Sequence, residues 1–431
     1  GPGLRRLPRR ARKRAANGGM NTAAADALSP SYLKLELCMK GVRLDASART
    51  HAVEICAPCA GDDIGSGLEL VLSDDVWVSA LIDDTPQIAT PFLLSSSGDE
   101  FTLQRGGTRV EVRLIPQPMF YRRATTQGTP MWQVGKAYGS CIAINPAAAC
   151  GYSLHGAPCR LCLEGTAPDL GTVFTASPQE VTEVVGAAFE EGVAEFVYFN
   201  LGYAEGEDGG IEFLEPYIRT IKRHFDTLIA VQLHPPNTNA WIDRTYAMGV
   251  DALSYSVEVH DAERFRRYCR GRAERFGRQR YDDALRYAAT IFPSGTVWSE
   301  LVVGLEPPAS TRQGIDSLTA MGVVPVLALA RSWPRPALEA DLAVEAIAPI
   351  YAHLFHAVRN AKINMGWLRD LSFAVTPLEA RFFAGDEARM AVAMQQFYRS
   401  RIGNIAARNL ARLRRRLRVR RVSDSFDSSH L

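Results

Sequence analysis

Apolar and polar positions alternate in short runs through residues 31–125: "YLKLEL", "LELVL", "DVWVSALI", "EFTLQ" and "TRVEVRLI", separated by clusters of Gly, Asp and Ser. Period-two alternation puts successive side chains on opposite faces of a strand, so this stretch predicts a small antiparallel β domain. From about residue 130 the rhythm becomes strand, loop, helix. The runs "EFVYFNLG" (195–202), "LIAVQLHPP" (228–236), "DALSYSVEV" (251–259), "TVWSELVVGL" (296–305) and "VVPVLALA" (323–330) are rich in apolar residues, as strands of a buried parallel sheet are. The first intervening helix carries a capping box in "SPQE", with Ser177 as cap, Pro178 at the first position and Glu180 reaching back; Val181, Val184, Val185 and Ala188 line one face. Further helices fit "IEFLEPYIRTIKRHF", "NAWIDRTYAMG", "DAERFRRYC" continuing through "DDALRYAATIF", and "STRQGIDSLTAMG". With "WQVGKAYGSCIAI" as an additional leading strand, the pattern predicts a partial (β/α)6 parallel barrel over 126–335. Residues 336–431 are predicted as a helical C-terminal extension, and 1–30, without periodicity, as a disordered basic N-terminus.

Composition narrows the class. The 431 residues suffice for two or three domains, and the longest apolar runs are of strand length, so no membrane partner is expected. The N-terminal arginines are followed by no apolar stretch of the kind a secretory signal needs, and the expected compartment is the cytoplasm. The formal charge of +2 is uneven: residues 1–19 carry seven Arg and Lys, and residues 412–431 carry seven Arg against two Asp, which leaves a body near −10. Basic ends suggest nucleic acid, but no aromatic residues are interleaved to stack on bases, so such a partner is not expected. Leu410, Leu413 and Leu417 fit instead a last helix docking its leucines on the body with arginines outward.

Four of the eight cysteines, Cys141, Cys150, Cys159 and Cys162, crowd into one segment. Cys56 and Cys59 form a second pair, "CAPC", without the helix start of a redox motif, and are read as structural. In a reducing compartment the crowding points to zinc or to an iron–sulfur cluster rather than to disulfides. Four ligands including Cys141 would close a zinc or cluster site. Three ligands on a [4Fe-4S] cluster would leave one iron able to bind something else.

A cysteine loop, "CGYSLHGAPCRLC" (150–162), after a first barrel strand and followed by repeated βα units resembles the radical S-adenosylmethionine superfamily. The segment from "PMFYRR" at 118 to Cys162 is similar as a whole to the radical family encoded beside nitrilases, with its β-rich N-terminal segment and expanded cysteine loop. The spacing here is CX8CX2C rather than the superfamily's common CX3CX2C, and Leu161 stands where an aromatic residue is usual. The resemblance implies a [4Fe-4S] cluster on Cys150, Cys159 and Cys162. Its open iron would be chelated by S-adenosylmethionine, which is cleaved reductively to a 5'-deoxyadenosyl radical for hydrogen abstraction from a small-molecule substrate. It also implies a one-electron donor such as flavodoxin or ferredoxin. Cleavage of a different carbon–sulfur bond, giving a 3-amino-3-carboxypropyl radical, stays open.

Cofactor contacts follow residue by residue. Asn200 and Gly202, ending the second strand, correspond to the turn against the methionine amino group; Val302 and Gly304 of "VVGLE" correspond to the adenine-contacting segment. Ser256 and Glu258, two apart, resemble the polar pair aimed at ribose and methionine, and a carboxylate can accept two ribose hydroxyls whatever the kinship. Glu300 shares strand parity with Val302 and Gly304 and would face the cavity as a buried carboxylate, a candidate catalytic group. His155, His234 and Arg331 lie near the active face by topology, with structural roles as the alternative. Two other classes remain: a zinc-stabilised binding protein using Cys141, and an RNA-modifying enzyme using the basic ends.

Overall fold

The chain's first ordered element departs from its own pattern: Pro30–Lys40, which contains the alternating "YLKLEL", is a helix (α1). Ser29 caps it by accepting the Tyr32 N–H, and Pro30 fits the first turn, where no N–H is needed. Alternation misleads because α1 is buried nearly all round. Leu33, Leu37 and Cys38 enter an N-terminal core while Leu35 enters the core of the barrel. The computed structural model describes residues 29–56, 67–82, 90–147, 150–161, 175–330, 343–369 and 371–422. Cys59, Cys162 and Arg331 lie outside them, as does the predicted basic N-terminus.

After α1 come Arg43–Leu44 (β1), Ala46–Cys56 (α2), Gly67–Val71 (β2), Trp77–Leu81 (β3), Phe92–Ser97 (β4), Glu100–Arg105 (β5) and Thr108–Leu114 (β6). The strands form one sheet in the order β1-β4-β5-β6-β2-β3, antiparallel throughout except where β1 joins β4. Leu70, Val78, Phe92 and Phe101 build its core. The strands match the alternating runs; the two helices do not show in them.

Met131–Val134 (α3) leads to the hairpin Gly135–Tyr138 (β7) and Cys141–Ile144 (β8), and the cysteine loop opens with the single turn Gly151–Leu154 (α4). Then follow Pro178–Glu191 (α5), Phe196–Asn200 (β9), Ile211–His224 (α6), Ile229–Gln232 (β10), Ala240–Ala247 (α7) and Ala252–Ser254 (β11). Ala262–Tyr268 (α8), Arg270–Arg275 (α9) and Gly277–Ile291 (α10) precede Val297–Val303 (β12), Pro308–Ala320 (α11) and Val324–Leu329 (β13). The capping box on α5 is as its sequence predicts. Strands β8 to β13 run parallel and pair in chain order, with antiparallel β7 and a late strand, Ala374–Val375, at the two edges. This open sheet with its helices is the expected partial (β/α)6 barrel. The predicted continuous helix after "DAERFRRYC" is broken into α8, α9 and α10 by non-helical backbone at Cys269. That break lets Gly271 press against the cysteine loop.

Val344–Asn360 (α12), the edge strand Ala374–Val375 (β14), Arg389–Arg399 (α13) and Arg401–Val422 (α14) complete the described chain. In α14 the expected docking is inverted. Leu413 and Leu417 are 55% and 59% exposed, whereas Arg415 reaches inward to Asp251 (2.6 Å) and to the carbonyls of Tyr246 and Val250. Arg408 and Arg412 pair with Asp226. Acidic side chains and carbonyls after α7 present negative potential, and guanidinium groups answer it better than leucines can. Among the described residues no helix is long and apolar enough to cross a membrane.

A buried ion pair ties the two ends together. Lys34 of α1 and Glu379 lie 2.8 Å apart with side chains 1% and 5% exposed, and the ammonium also donates to the carbonyls of Leu371 and Ala374 beside β14. Replacing Lys34 by Met strands a buried carboxylate, and chemical denaturation should show a loss of about 3–5 kcal/mol. Pairing it with Glu379→Leu should recover most of that loss. An unchanged midpoint for Lys34→Met would contradict the assignment.

Candidate functional site

The parallel strands all end on one side of the sheet, and there the cysteine loop docks. Its first half rests on the segment after β9. Gly151 N–H donates to the Tyr203 carbonyl (2.8 Å), and the rings of Tyr152 and Tyr203 stack 4.3 Å apart. Cys150 sits on Gly202, where an added Cβ would lie 2.9 Å from the Cys150 Cβ and 3.3 Å from its sulfur. The next amide, Tyr203 N–H, donates to Cys150 Sγ at 3.3 Å. The loop's second half rests on the break between α8 and α9: Arg160 N–H donates to the Tyr268 carbonyl, and a Cβ on Gly271 would lie 2.7 Å from the Ala157 carbonyl oxygen. Two glycines thus fix the loop on both flanks by backbone approach that no other residue permits.

Cys159 is buried beside Cys269, a thiol absent from the sequence-based site. The hydrogen bond from Cys269 and the nearby Arg272 guanidinium outweigh burial and bring Cys159 down to about 6, while the same hydrogen bond and burial push Cys269 well above the ordinary thiol range. Cys159 is therefore prepared as a thiolate. Cys141 does not join it. It begins β8, at the end opposite to the one from which the loop emerges, and its thiol donates to the Tyr138 carbonyl (3.2 Å) with burial holding it up at about 12. This placement sets Cys141 apart from the thiols of the loop. Among the described residues no metal-ligand group of three forms.

Glu258 holds a conformation that alternation could not foresee. β11 stops at Ser254, and Glu258 has φ of 69° while Val259 N–H donates to the Val257 carbonyl (2.9 Å), a γ-turn of the strained hand. β12 grips it from the side: Glu258 N–H donates to the Glu300 carbonyl and its carbonyl accepts the Val302 N–H, both at 2.8 Å. Arg272 donates to the Glu258 carboxylate (3.2 Å) and to the Ser256 carbonyl (2.7 Å). Its Nε is buried with no hydrogen-bond partner among the described residues. Neither Cys269 nor Arg272 carries a sequence signal beyond the Gly271 between them.

The other predicted residues follow strand parity. Ser256 Oγ lies 3.2 Å from Ser254 Oγ, so the two share a face, and Ser254 is in register with Gln232 and Trp298. Gln232 is in turn in register with Asn200. Trp298 and Glu300 line a cavity inside the barrel, and Val302, two further along β12, shares that face. Gly304 follows the strand with φ of 103°, a turn that favours glycine. His155 pairs at the surface with Glu205 (2.5 Å) rather than with the thiols. His234 is buried under the loop, its Nδ1 2.7 Å from the Tyr281 hydroxyl and its ring edge-on to Tyr152; burial keeps it well below the usual histidine range, so it packs as a neutral ring.

No protein-family model matches this chain, and no curated protein does. Solved structures similar to it include methylornithine synthase (PylB), with TM-score 0.39 and 13% identity over 53% of this chain and 70% of that one. A radical SAM methyltransferase from Sphaerobacter thermophilus gives TM-score 0.37 and 16% identity over 63% and 75%. The cobalamin-dependent S-adenosylmethionine radical enzyme OxsB gives TM-score 0.32 and 12% identity over 64% of this chain and only 40% of that one. Likeness this remote leaves the chemistry to be argued from the chain's own residues.

Glu300 supplies a pH test. Burial, reinforced by the negative charge of Glu258 and opposed by Arg272, pushes its carboxyl up to about 8. The folded protein thus holds a proton that the unfolded chain releases near pH 4, so stability falls as pH rises between the two values and levels off above about 8. Urea denaturation from pH 5 to 9 should show a decline on the order of 4 kcal/mol that Glu300→Gln removes. A decline of the same size in Glu300→Gln would place its origin elsewhere.

Proposed function

We propose that the chain is a radical S-adenosylmethionine enzyme, with a [4Fe-4S] cluster held by Cys150, Cys159 and Cys162 at the C-terminal mouth of the partial barrel. The observation that carries the reading is the seat of Cys150 on Gly202. A thiol loop locked over the strand ends, with one cysteine prepared as a thiolate, is what a cluster ligand set needs. The residues fit the group in a second respect. The orphaned Nε of buried Arg272 supplies a donor for an anionic ligand at the same mouth.

Cys150, Cys159 and Cys162 would hold the cluster, which would supply an open coordination position for S-adenosylmethionine and the reducing electron for its sulfonium. The chain's residues bind and orient. Tyr203 N–H stabilises negative charge on the Cys150 sulfur. Arg272 aims Glu258 through their 3.2 Å pair, so that its carboxyl group can accept two ribose hydroxyls. Asn200 and Gly202 border the methionine end, Ser256 supports Glu258, and Val302 and Gly304 flank the adenine. Glu300, neutral at pH 7, would act as a proton donor or hydrogen-bond donor inside the barrel. A flavodoxin or ferredoxin would supply the electron, and the substrate would be a small molecule. In the final helix, whose basic end the alternative RNA-modifying reading would use, Arg412 and Arg415 are engaged with Asp226 and Asp251.

Anaerobic reconstitution followed by S-adenosylmethionine and dithionite should yield 5'-deoxyadenosine by mass spectrometry. Methylthioadenosine would instead mark the 3-amino-3-carboxypropyl route. Alanine at Cys150, Cys159 or Cys162 should abolish the cluster absorption, whereas Cys141→Ala should retain it. Glu258→Ala should keep the cluster but raise the KM for S-adenosylmethionine by about tenfold or more, the loss of a charge-assisted hydrogen bond. Bound zinc in place of iron, or a cluster indifferent to Cys150, would overturn the proposal.

A further inference from the structure

The barrel holds a partly open cavity of about 210 Å3 toward the strand ends away from the cysteine loop's seat. Phe196, Tyr198, Trp298, Trp367 and Phe373 contribute rings to its wall. Glu300 belongs to the same wall and is also the residue that feels Glu258 and Arg272, so it stands between the cavity and the proposed cofactor site. Two alanines in register, Ala230 and Ala252, leave the space, and the rings of Tyr198 and Trp298, 6.3 Å apart, flank it. The far end is bordered by the C-terminal segment through Trp367 and Phe373 and by Ala407 and Ala411 of α14.

Such a wall selects its occupant by elementary chemistry. Apolar cavities of about 150 Å3 accept benzene, so this one is suited to one or two fused rings. The other charged groups on its wall are engaged or at the surface: Arg369 donates to the Trp367 carbonyl (3.2 Å) and Arg414 is exposed. Asp251 is neutralised by Lys222 (2.7 Å) and Arg415 (2.6 Å), and Tyr198 directs its hydroxyl to Gln232. The Glu300 carboxyl also belongs to the wall, and burial keeps it protonated near neutral pH. A protonated carboxyl donates one hydrogen bond and leaves a cost if it finds no acceptor.

We propose that this chamber binds the substrate, a flat, uncharged, largely aromatic or hydrocarbon molecule that presents one hydrogen-bond acceptor to Glu300. Calling the occupant a substrate rests on the radical enzyme reading above; the binding itself does not. An interior carboxyl between an aromatic chamber and the cofactor mouth sets which edge of the ligand faces the reactive end, so Glu300 is a specificity-determining residue as well as a candidate catalytic one.

Quinoline and naphthalene, matched in shape and differing in one ring acceptor, separate the terms. Equilibrium dialysis at pH 7 uses the full chain without cluster or S-adenosylmethionine. Quinoline should bind at a single saturable site about threefold or more tighter than naphthalene, the worth of one hydrogen bond. Glu300→Leu should erase that preference. Ala230→Phe fills the chamber and Ala411→Trp narrows its border from an outer helix, and each should weaken both probes by about tenfold or more. Circular dichroism certifies the fold of each variant. If Ala230→Phe fails to fold, Ala411→Trp decides alone. Absence of saturable quinoline binding, equal affinity for the two probes in the natural chain, or undiminished binding in folded Ala411→Trp would overturn the inference. Because no cofactor enters the dialysis, a failure here and a failure to form 5'-deoxyadenosine remain separate results.

Discussion

Close packing of Cys150 on Gly202 and of Ala157 on Gly271 is the constraint on which the site depends. A loop with this much polar backbone could sit at the mouth of a barrel in many ways. Contact that leaves no room for a Cβ selects one of them, because a methyl group on either side would force the loop away by more than packed interiors tolerate. The hydrogen bonds from Tyr203 to Cys150 and from Arg160 to Tyr268 then hold what the glycines allow. Everything proposed about electron delivery needs the thiols at this height above the sheet.

The second element of the site is electrostatic. Arg272, Glu258, Glu300 and Cys159 occupy one buried neighbourhood and perturb one another. The hydrogen bond from Cys269 and the Arg272 guanidinium favour the Cys159 thiolate, while burial, reinforced by the charge of Glu258, keeps Glu300 neutral. The strained turn at Glu258 fits this scheme. Strain of this kind persists where surroundings over-determine it, and here the β12 backbone and Arg272 grip the residue from two sides.

Much of this architecture is legible in the sequence, and the failures have physical causes. The parallel strands are legible because burial on both faces leaves an apolar run, and the capping box of α5 because its hydrogen bonds are local. Inward-facing Asn200, Ser256, Glu300 and Val302 follow from parity. α1 is misread because an all-round buried helix can carry any alternation when Lys34 and Glu36 find partners inside, and those partners are distant in sequence. The leucines of α14 mislead because the surface it meets is acidic. Cys269 and Arg272 are illegible since only the break between α8 and α9 delivers them. Cys141 looks like a fourth ligand by spacing and is carried to the opposite end of its strand by the hairpin.

The account turns on an iron that no cysteine of this chain occupies. Mössbauer spectra of protein reconstituted with 57Fe, recorded before and after addition of S-adenosylmethionine, address it most directly. The account predicts a cluster in which one iron alone changes its parameters when the sulfonium compound binds, as nitrogen and oxygen ligands replace solvent. Spectra that show four equivalent, unresponsive sites, or a mononuclear thiolate-bound iron, would contradict it.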